Sequence, residues 1–215
     1  PPSSAAARAT RRMAAEAAGT ASPPLAALQR SPTLTPDGRR IVDGRQLKSN
    51  SLWVMDLNGT HQRRLSRNPL LNGQEFPFDE NPAVSPDGKQ VVFIRRLSET
   101  RTALFVIGFD GRRLRRLTPW SMAAERKVDW SPDGSRILFG ANGHLYTIHG
   151  DGAGRTKSTN GAHDYCSNSY SPDGTQIVLF DKCHSDSEGD SNLYLMSAAG
   201  GAPILVPNGS GARKI

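Results

Sequence analysis

The sequence is poor in cysteine, in aromatic residues and in long apolar runs. Two cysteines among 215 residues allow one disulfide and exclude a disulfide-dense scaffold. Aromatic residues are 7% and hydrophobic residues 36% of the chain, enough for a core but not a large one. No apolar stretch approaches the roughly 18 residues of a membrane-spanning helix. Catalytic signatures are missing as well. The chain holds no G-x-S-x-G elbow, no phosphate loop ending in Gly-Lys-Ser/Thr and no H-E-x-x-H. Acidic residues are scarce in one part only. Residues 1–127 carry 21 Lys and Arg against 11 Asp and Glu, a net of +10, whereas residues 128–215 carry 6 against 9, a net of −3. The overall charge of +7 is therefore local, and it is mostly arginine.

Residues 1–30 are rich in alanine and arginine, and they begin Pro1-Pro2 rather than with Met, as expected of a processed chain or a fragment. Glu16 and the pair Arg11-Arg12 interrupt any secretory apolar stretch. The segment reads as a poorly ordered leader or linker, with an organellar transit peptide as the weaker alternative.

What the sequence has in abundance is punctuation, with Gly 21 and Pro 15, and it is periodic. Thr-Pro-Asp-Gly at 35–38 is followed by Ser-Pro-Asp-Gly at 85–88, 131–134 and 171–174, at intervals of 50, 46 and 40 residues. Each tetrapeptide precedes a short apolar run: IV at 41–42, VVFI at 91–94, ILF at 137–139 and IVLF at 177–180. A second run follows and ends in a turn: SLWVMDLNG (51–59), ALFVIGFDG (103–111), HLYTIHGDG (144–152) and NLYLMSAAG (192–200). A fourth element closes each copy: RRLS (63–66), RRLT (115–118), the polar RTKST (155–159) and ILV (204–206).

The turn chemistry has a mechanism. Proline presets φ at the first corner, aspartate bonds backbone amides, and glycine accepts a positive φ. The spacing predicts a three-residue hairpin loop, Pro-Asp-Gly, between two antiparallel strands. Asn58-Gly59, Asp110-Gly111 and Asp151-Gly152 predict further hairpins. Each unit is then a four-stranded antiparallel sheet that must bury its faces against neighbours. Radial stacking of such sheets is a β-propeller. The fold class is all-β, with repeats at about 31–67, 81–119, 127–160 and 163–207 inside a domain spanning 31–215.

These residues also carry a resemblance. The pattern SPDG-x-x-I/V, then L-Y/F/W-V-M/I-x-x-x-G, then R-L-S/T resembles the TolB-type propeller repeat over about residues 31–207. Trp130 stands directly before its turn, at a position that the resemblance assigns to the core of the sheet stack. The resemblance implies rings of six or more blades, so four repeats predict an incomplete or open ring, with a self-closed four-bladed ring as the alternative. It also implies a non-catalytic scaffold that binds protein partners, in a periplasmic or extracellular cell-envelope setting, with cytoplasmic or organellar settings as alternatives. Because similar propellers accompany prolyl-oligopeptidase-type hydrolases, the competing reading is the propeller portion of a larger enzyme, gating substrate access.

Candidate sites are few, and no cofactor is called for. Asp37, Asp87, Asp133 and Asp173 read as turn formers rather than paired acids, and Gly150, Gly152 and Gly154 as a hairpin rather than a phosphate cradle. In the fourth repeat, a loop on Pro172-Asp173-Gly174 sets His163 opposite Cys183 and Cys166 opposite Phe180. The cysteines then lie roughly 10 Å apart along the strands, beyond ordinary disulfide reach unless a bulge closes the gap. A Cys166–Cys183 disulfide, two free thiols, and a metal site using His163, Cys166, Cys183 or His184 all stay open. Asp186, Glu188, Asp190 and Asn192 read as a solvated loop before a calcium loop. Arg63, Arg64, Arg95, Arg96, Arg112, Arg113, Arg115 and Arg116 are candidates for a belt facing an anionic partner. The competing reading is protection of outer strand edges. Nucleic acid is disfavoured, because aromatics do not interleave with these arginines.

Overall fold

The computed structural model describes residues 29–45, 51–68, 77–98, 100–160, 165–181 and 192–207. They form sixteen strands and one 3-10 turn, Trp120–Met122. Blade 1 consists of β1 (Gln29–Leu34), β2 (Arg40–Arg45), β3 (Ser51–Asp56) and β4 (Arg63–Arg64). Blade 2 holds β5 (Phe78–Val84), β6 (Gln90–Ser98), β7 (Arg101–Gly108) and β8 (Arg115–Arg116). Blade 3 holds β9 (Ala124–Trp130), β10 (Ile137–Ala141), β11 (His144–Ile148) and β12 (Thr156–Lys157), and blade 4 holds β13 (Cys166–Tyr170), β14 (Gln176–Phe180), β15 (Leu193–Ser197) and β16 (Ile204–Leu205). Each blade is an antiparallel meander with its strands in chain order. All four repeats expected from the sequence are present, strand for strand.

The hairpin loop is one residue longer than the expected Pro-Asp-Gly. In blade 4 the Ser171 amide donates to the Gln176 carbonyl (2.9 Å), so the loop is Pro172 to Thr175, and Tyr170 pairs with Ile177. The physical reason lies in the hydroxyl that opens the motif. The Ser171 carbonyl accepts the Gly174 amide rather than the Gln176 amide. The Ser171 hydroxyl takes that amide instead (2.9 Å) and donates to Asp173 (2.5 Å), whose Oδ1 also accepts the Thr175 amide (3.0 Å). The same three bonds recur around Thr35, Ser85 and Ser131. Gly174 sits at φ +71°, the left-handed region that the turn requires.

A bulge in the first strand of every blade restores register further along. In blade 4 it falls between Cys166 and Ser169 and returns Cys166 to a place opposite Phe180, as the sequence register had it. Equivalent bulges interrupt the pairings of β1, β5 and β9. In the first two blades they fall at Ser31-Pro32 and Asn81-Pro82, where Ser31 and Asn81 take φ of 50° and 51°. Proline lacks the amide a regular ladder would use, which suits it to a bulge.

Strand alternation divides each blade into two faces, and every junction between blades is built from the same pair. Val42, Leu52 and Val54 of blade 1 pack on Val91, Phe93, Phe105 and Ile107 of blade 2. Val92, Leu104 and Val106 of blade 2 pack on Val128, Ile137, Phe139 and Ile148 of blade 3. Leu138 and Leu145 of blade 3 pack on Ile177, Leu179 and Met196 of blade 4. Trp130 belongs to the core as expected: its ring is buried and its indole N–H donates to the Ala83 carbonyl of the preceding blade (3.2 Å). The first strands pack side by side in the order β1, β5, β9, β13. No comparable packing joins β13 back to β1, so the described residues form an open arc of four blades. At its far end Ile204 and Leu195 stay exposed at 72% and 37%.

Candidate binding surface

An up-and-down meander places the β1–β2 type turns and the β3–β4 type turns at one end of every blade. That end therefore collects the four Thr/Ser-Pro-Asp-Gly turns and the Asn58-Gly59, Asp110-Gly111 and Asp151-Gly152 hairpins. Its carboxylates are engaged locally. Asp37, Asp87, Asp133 and Asp173 each hold a hydroxyl and an amide of their own turn. Those bonds favour the charged form and lower all four pKa values, Asp133 to about 2, chiefly through the Ser131 hydroxyl. These residues are turn formers fixed as anions at neutral pH.

The arginines separate into three groups. Arg95 and Arg96 sit at the opposite end, Arg95 buried and Arg96 half-buried. Arg95 makes a bidentate pair with buried Asp79 (2.7 and 2.9 Å), and Arg96 pairs with Glu80 (2.9 Å). Burial pushes Asp79 above the usual carboxylate range, opposed by Arg95 and the Ser66 hydroxyl. Both cations are paired with carboxylates of their own blade. Arg64 and Arg116 lie on the outer strands: Arg64 bonds Ser51 and the Ser66 carbonyl, and Arg116 lies 5.5 Å from the Trp120 ring centre, on which Arg101 also stacks. Arg63, Arg112, Arg113 and Arg115 are exposed at or beside the turn-bearing end. The eight candidates thus do not form one belt; four of them share an end.

Two of these four cross between blades. Arg63 donates from β4 to the Phe109 carbonyl of blade 2 (2.6 Å), while Arg63 and Arg40 stack on the Phe109 ring (5.5 and 4.7 Å). Burial and the neighbouring Arg40 lower the Arg63 pKa. Arg115, its register equivalent, donates from β8 to the Gly150 carbonyl of blade 3 (3.0 Å). Between blades 3 and 4 a cleft of about 390 Å³ opens, lined by Arg136, Thr147, Thr156, Tyr170 and Ala198 among others. The Tyr170 phenol is pushed up to about 12 by burial and by Asp129, so it stays a hydrogen-bond donor. Sequence reading missed this cleft, although Thr156 standing where RRLS and RRLT have an arginine was its signal.

Other candidates fall elsewhere. His163, Cys183 and His184 lie outside the described residues, as do Asp186, Glu188 and Asp190 and the Cys166 side chain. Among the described residues no group of three metal-ligating side chains occurs. Asn192 is bonded to Asp181, through both its amide (2.8 Å) and its side chain (3.1 Å).

This geometry has close counterparts. TolB from Acinetobacter baumannii superimposes on 83% of this chain with a TM-score of 0.65, at 21% identity. The chain has the TolB-like β-propeller fold. It spans 43% of that TolB chain, so the comparison structure is much the longer. The nidogen/laminin complex gives a TM-score of 0.61 over 80% of this chain, covering 60% of the matched one at 14% identity. A prolyl endopeptidase gives 0.59 over 82%, covering 29% at 16% identity. By sequence, an uncharacterized protein of Agrobacterium fabrum is 35% identical over 82 residues, 36% of this chain and 27% of its own length. No family model matches the sequence. Among the described residues no helix is long and apolar enough to cross a membrane.

Proposed function

We propose that this TolB-like propeller is a non-catalytic scaffold that binds a protein partner through its turn-bearing end, in a periplasmic cell-envelope setting. The observation carrying this reading is a stiff surface with exposed cations, of which Arg63 and Arg115 also bond a carbonyl of the next blade. Four turns are locked by hydroxyl–carboxylate–amide bonds, and Arg63, Arg112, Arg113 and Arg115 project among them. Rigid loops on a packed frame suit recognition, because little ordering entropy opposes association. The fold shared with a propeller solved in a protein–protein complex supports the same reading. The test is affinity capture from a bacterial envelope extract, comparing the wild-type chain with a variant carrying glutamate at these four arginines. Loss of the captured protein is the expected result; an unchanged set of captured proteins would overturn the role given to this end.

The second reading, a propeller that gates substrate access in a larger hydrolase, is supported by the prolyl endopeptidase likeness. A G-x-S-x-G motif in the same open reading frame would decide for it.

A further inference from the structure

The three junctions between blades share one plan, and the third lacks a part. At the first, the Arg63 guanidinium crosses to the Phe109 carbonyl, and the carboxylate that acts on it is Asp110. At the second, the Arg115 guanidinium crosses to the Gly150 carbonyl. At the third, Asp133 and Asp173 line the cleft, and the register equivalent of Arg63 and Arg115 is Thr156. The Thr156 hydroxyl donates within its own blade, to the Gly154 carbonyl (3.3 Å), and is too short to cross. Ala198 occupies the place of Phe109 and Gly150.

From this comparison we infer that the cleft between blades 3 and 4 is a docking site for a guanidinium group carried by a partner. The chain itself shows twice what fills the position. A planar cation reaches the carbonyl of the following blade's turn through a terminal nitrogen, and at the third junction Asp133 and Asp173 supply carboxylates in the cleft where that cation is missing. Arg136 in the cleft is no obstacle, because its equivalent Arg40 coexists with Arg63 at the first junction, where both stack on one ring. Arg136 is moreover turned onto the Gly154 carbonyl (3.2 Å). Tyr170 closes the far wall with a phenol that has no hydrogen-bond partner among the described residues. A cleft of about 390 Å³ has room for an arginine side chain. The site stands apart from the exposed arginines of blades 1 and 2, so it does not depend on the scaffold reading.

The guanidinium can come from a free arginine derivative or from an arginine in an extended peptide, and two probes separate them. N-acetylarginine methylamide and capped Gly-Arg-Gly are titrated into the isotope-labelled chain, with the lysine counterparts as controls. The expected result is saturable shifts of the Thr147, Tyr170 and Ala198 amides with the arginine probes, at least tenfold weaker with lysine. Tighter binding of the peptide assigns the site to a polypeptide partner; equal binding assigns it to a small guanidinium compound. Thr156→Arg fills the position from within and should weaken either probe at least tenfold while the chain stays folded. Should that variant misfold, Ala198→Leu blocks the same wall without touching a strand ladder. Absence of shifts at millimolar probe, equal response to lysine, or binding unchanged by the filling variant would each overturn the inference.

Discussion

The junction between blades 1 and 2 and the junction between blades 3 and 4 are built from the same strands in the same register, yet they close differently. The first has Phe93 and Phe105 stacked 5.8 Å apart in its core and an arginine crossing its rim onto an aromatic ring. The second has Leu179 where the first has Phe93, and a threonine where the arginine stood. Repeats keep a common frame because the turn chemistry is local, and differ where side chains meet across blades. Deep apolar contacts should then dominate stability, turn bonds should come next, and the crossing arginines should matter least.

The largest effect is expected from the cores. Phe93→Ala removes a fully buried ring and should cost about 3–5 kcal/mol, against about 2–5 for Leu179→Ala. Urea denaturation of both variants measures the difference. Equal losses would mean that the Phe-lined junction collapses around its cavity. Arg95→Ala should cost a comparable 3–5 kcal/mol, because it leaves Asp79 buried without its cation.

The turn bonds come next. Ser131→Ala removes an acceptor for the Arg136 amide and a donor to Asp133, and should cost about 1–2 kcal/mol. It also has a signature in pH. Asp133 has a depressed folded pKa of about 2 against an ordinary 3.8. Its contribution is therefore present above pH 3.8 and is lost as pH falls towards 2. In the variant the carboxyl should titrate closer to the ordinary value, so the loss on acidification still begins near pH 3.8 but is smaller and complete at a higher pH. Carboxyl carbon chemical shifts measured across that range check it; an unchanged midpoint would remove the hydroxyl as the main cause.

Much of this order was legible in the sequence, because the four-residue turn is local chemistry. Proline, aspartate and glycine announce it, and the apolar runs that follow are short enough to be strands only. What was misread was the loop length. The hydroxyl that opens the motif acts as a surrogate carbonyl, and composition gives no sign that Gln176 bonds a side chain rather than the backbone. The bulges at Ser31 and Asn81 were also missed, although the prolines after them break the ladder. The arginines show the opposite limit. Adjacent Arg95-Arg96 and Arg115-Arg116 look alike as text, but Arg95 finds its partner 16 residues away in its own blade and Arg115 finds its partner in the next blade.

The smallest expected effects test the comparison most directly, because they exchange the two kinds of rim. Arg63→Ala should cost about 1 kcal/mol, since it loses both an inter-blade hydrogen bond and a contact with the Phe109 ring. Arg115→Ala, with no ring beneath it, should cost about 0.5 kcal/mol. Thr156→Arg should add a few tenths of a kcal/mol at most, because Ala198 offers a carbonyl but no ring. The order Arg63, Arg115, Thr156 follows from what stands opposite each side chain, not from its charge. Raising the salt concentration separates the two explanations. Screening weakens exposed charge–charge terms and leaves bonds to carbonyls and ring stacking largely intact. If the losses at Arg63 and Arg115 converge to zero in high salt, the rims are electrostatic and the blades' local partners are incidental. If their difference persists, Phe109 is what sets the first junction apart.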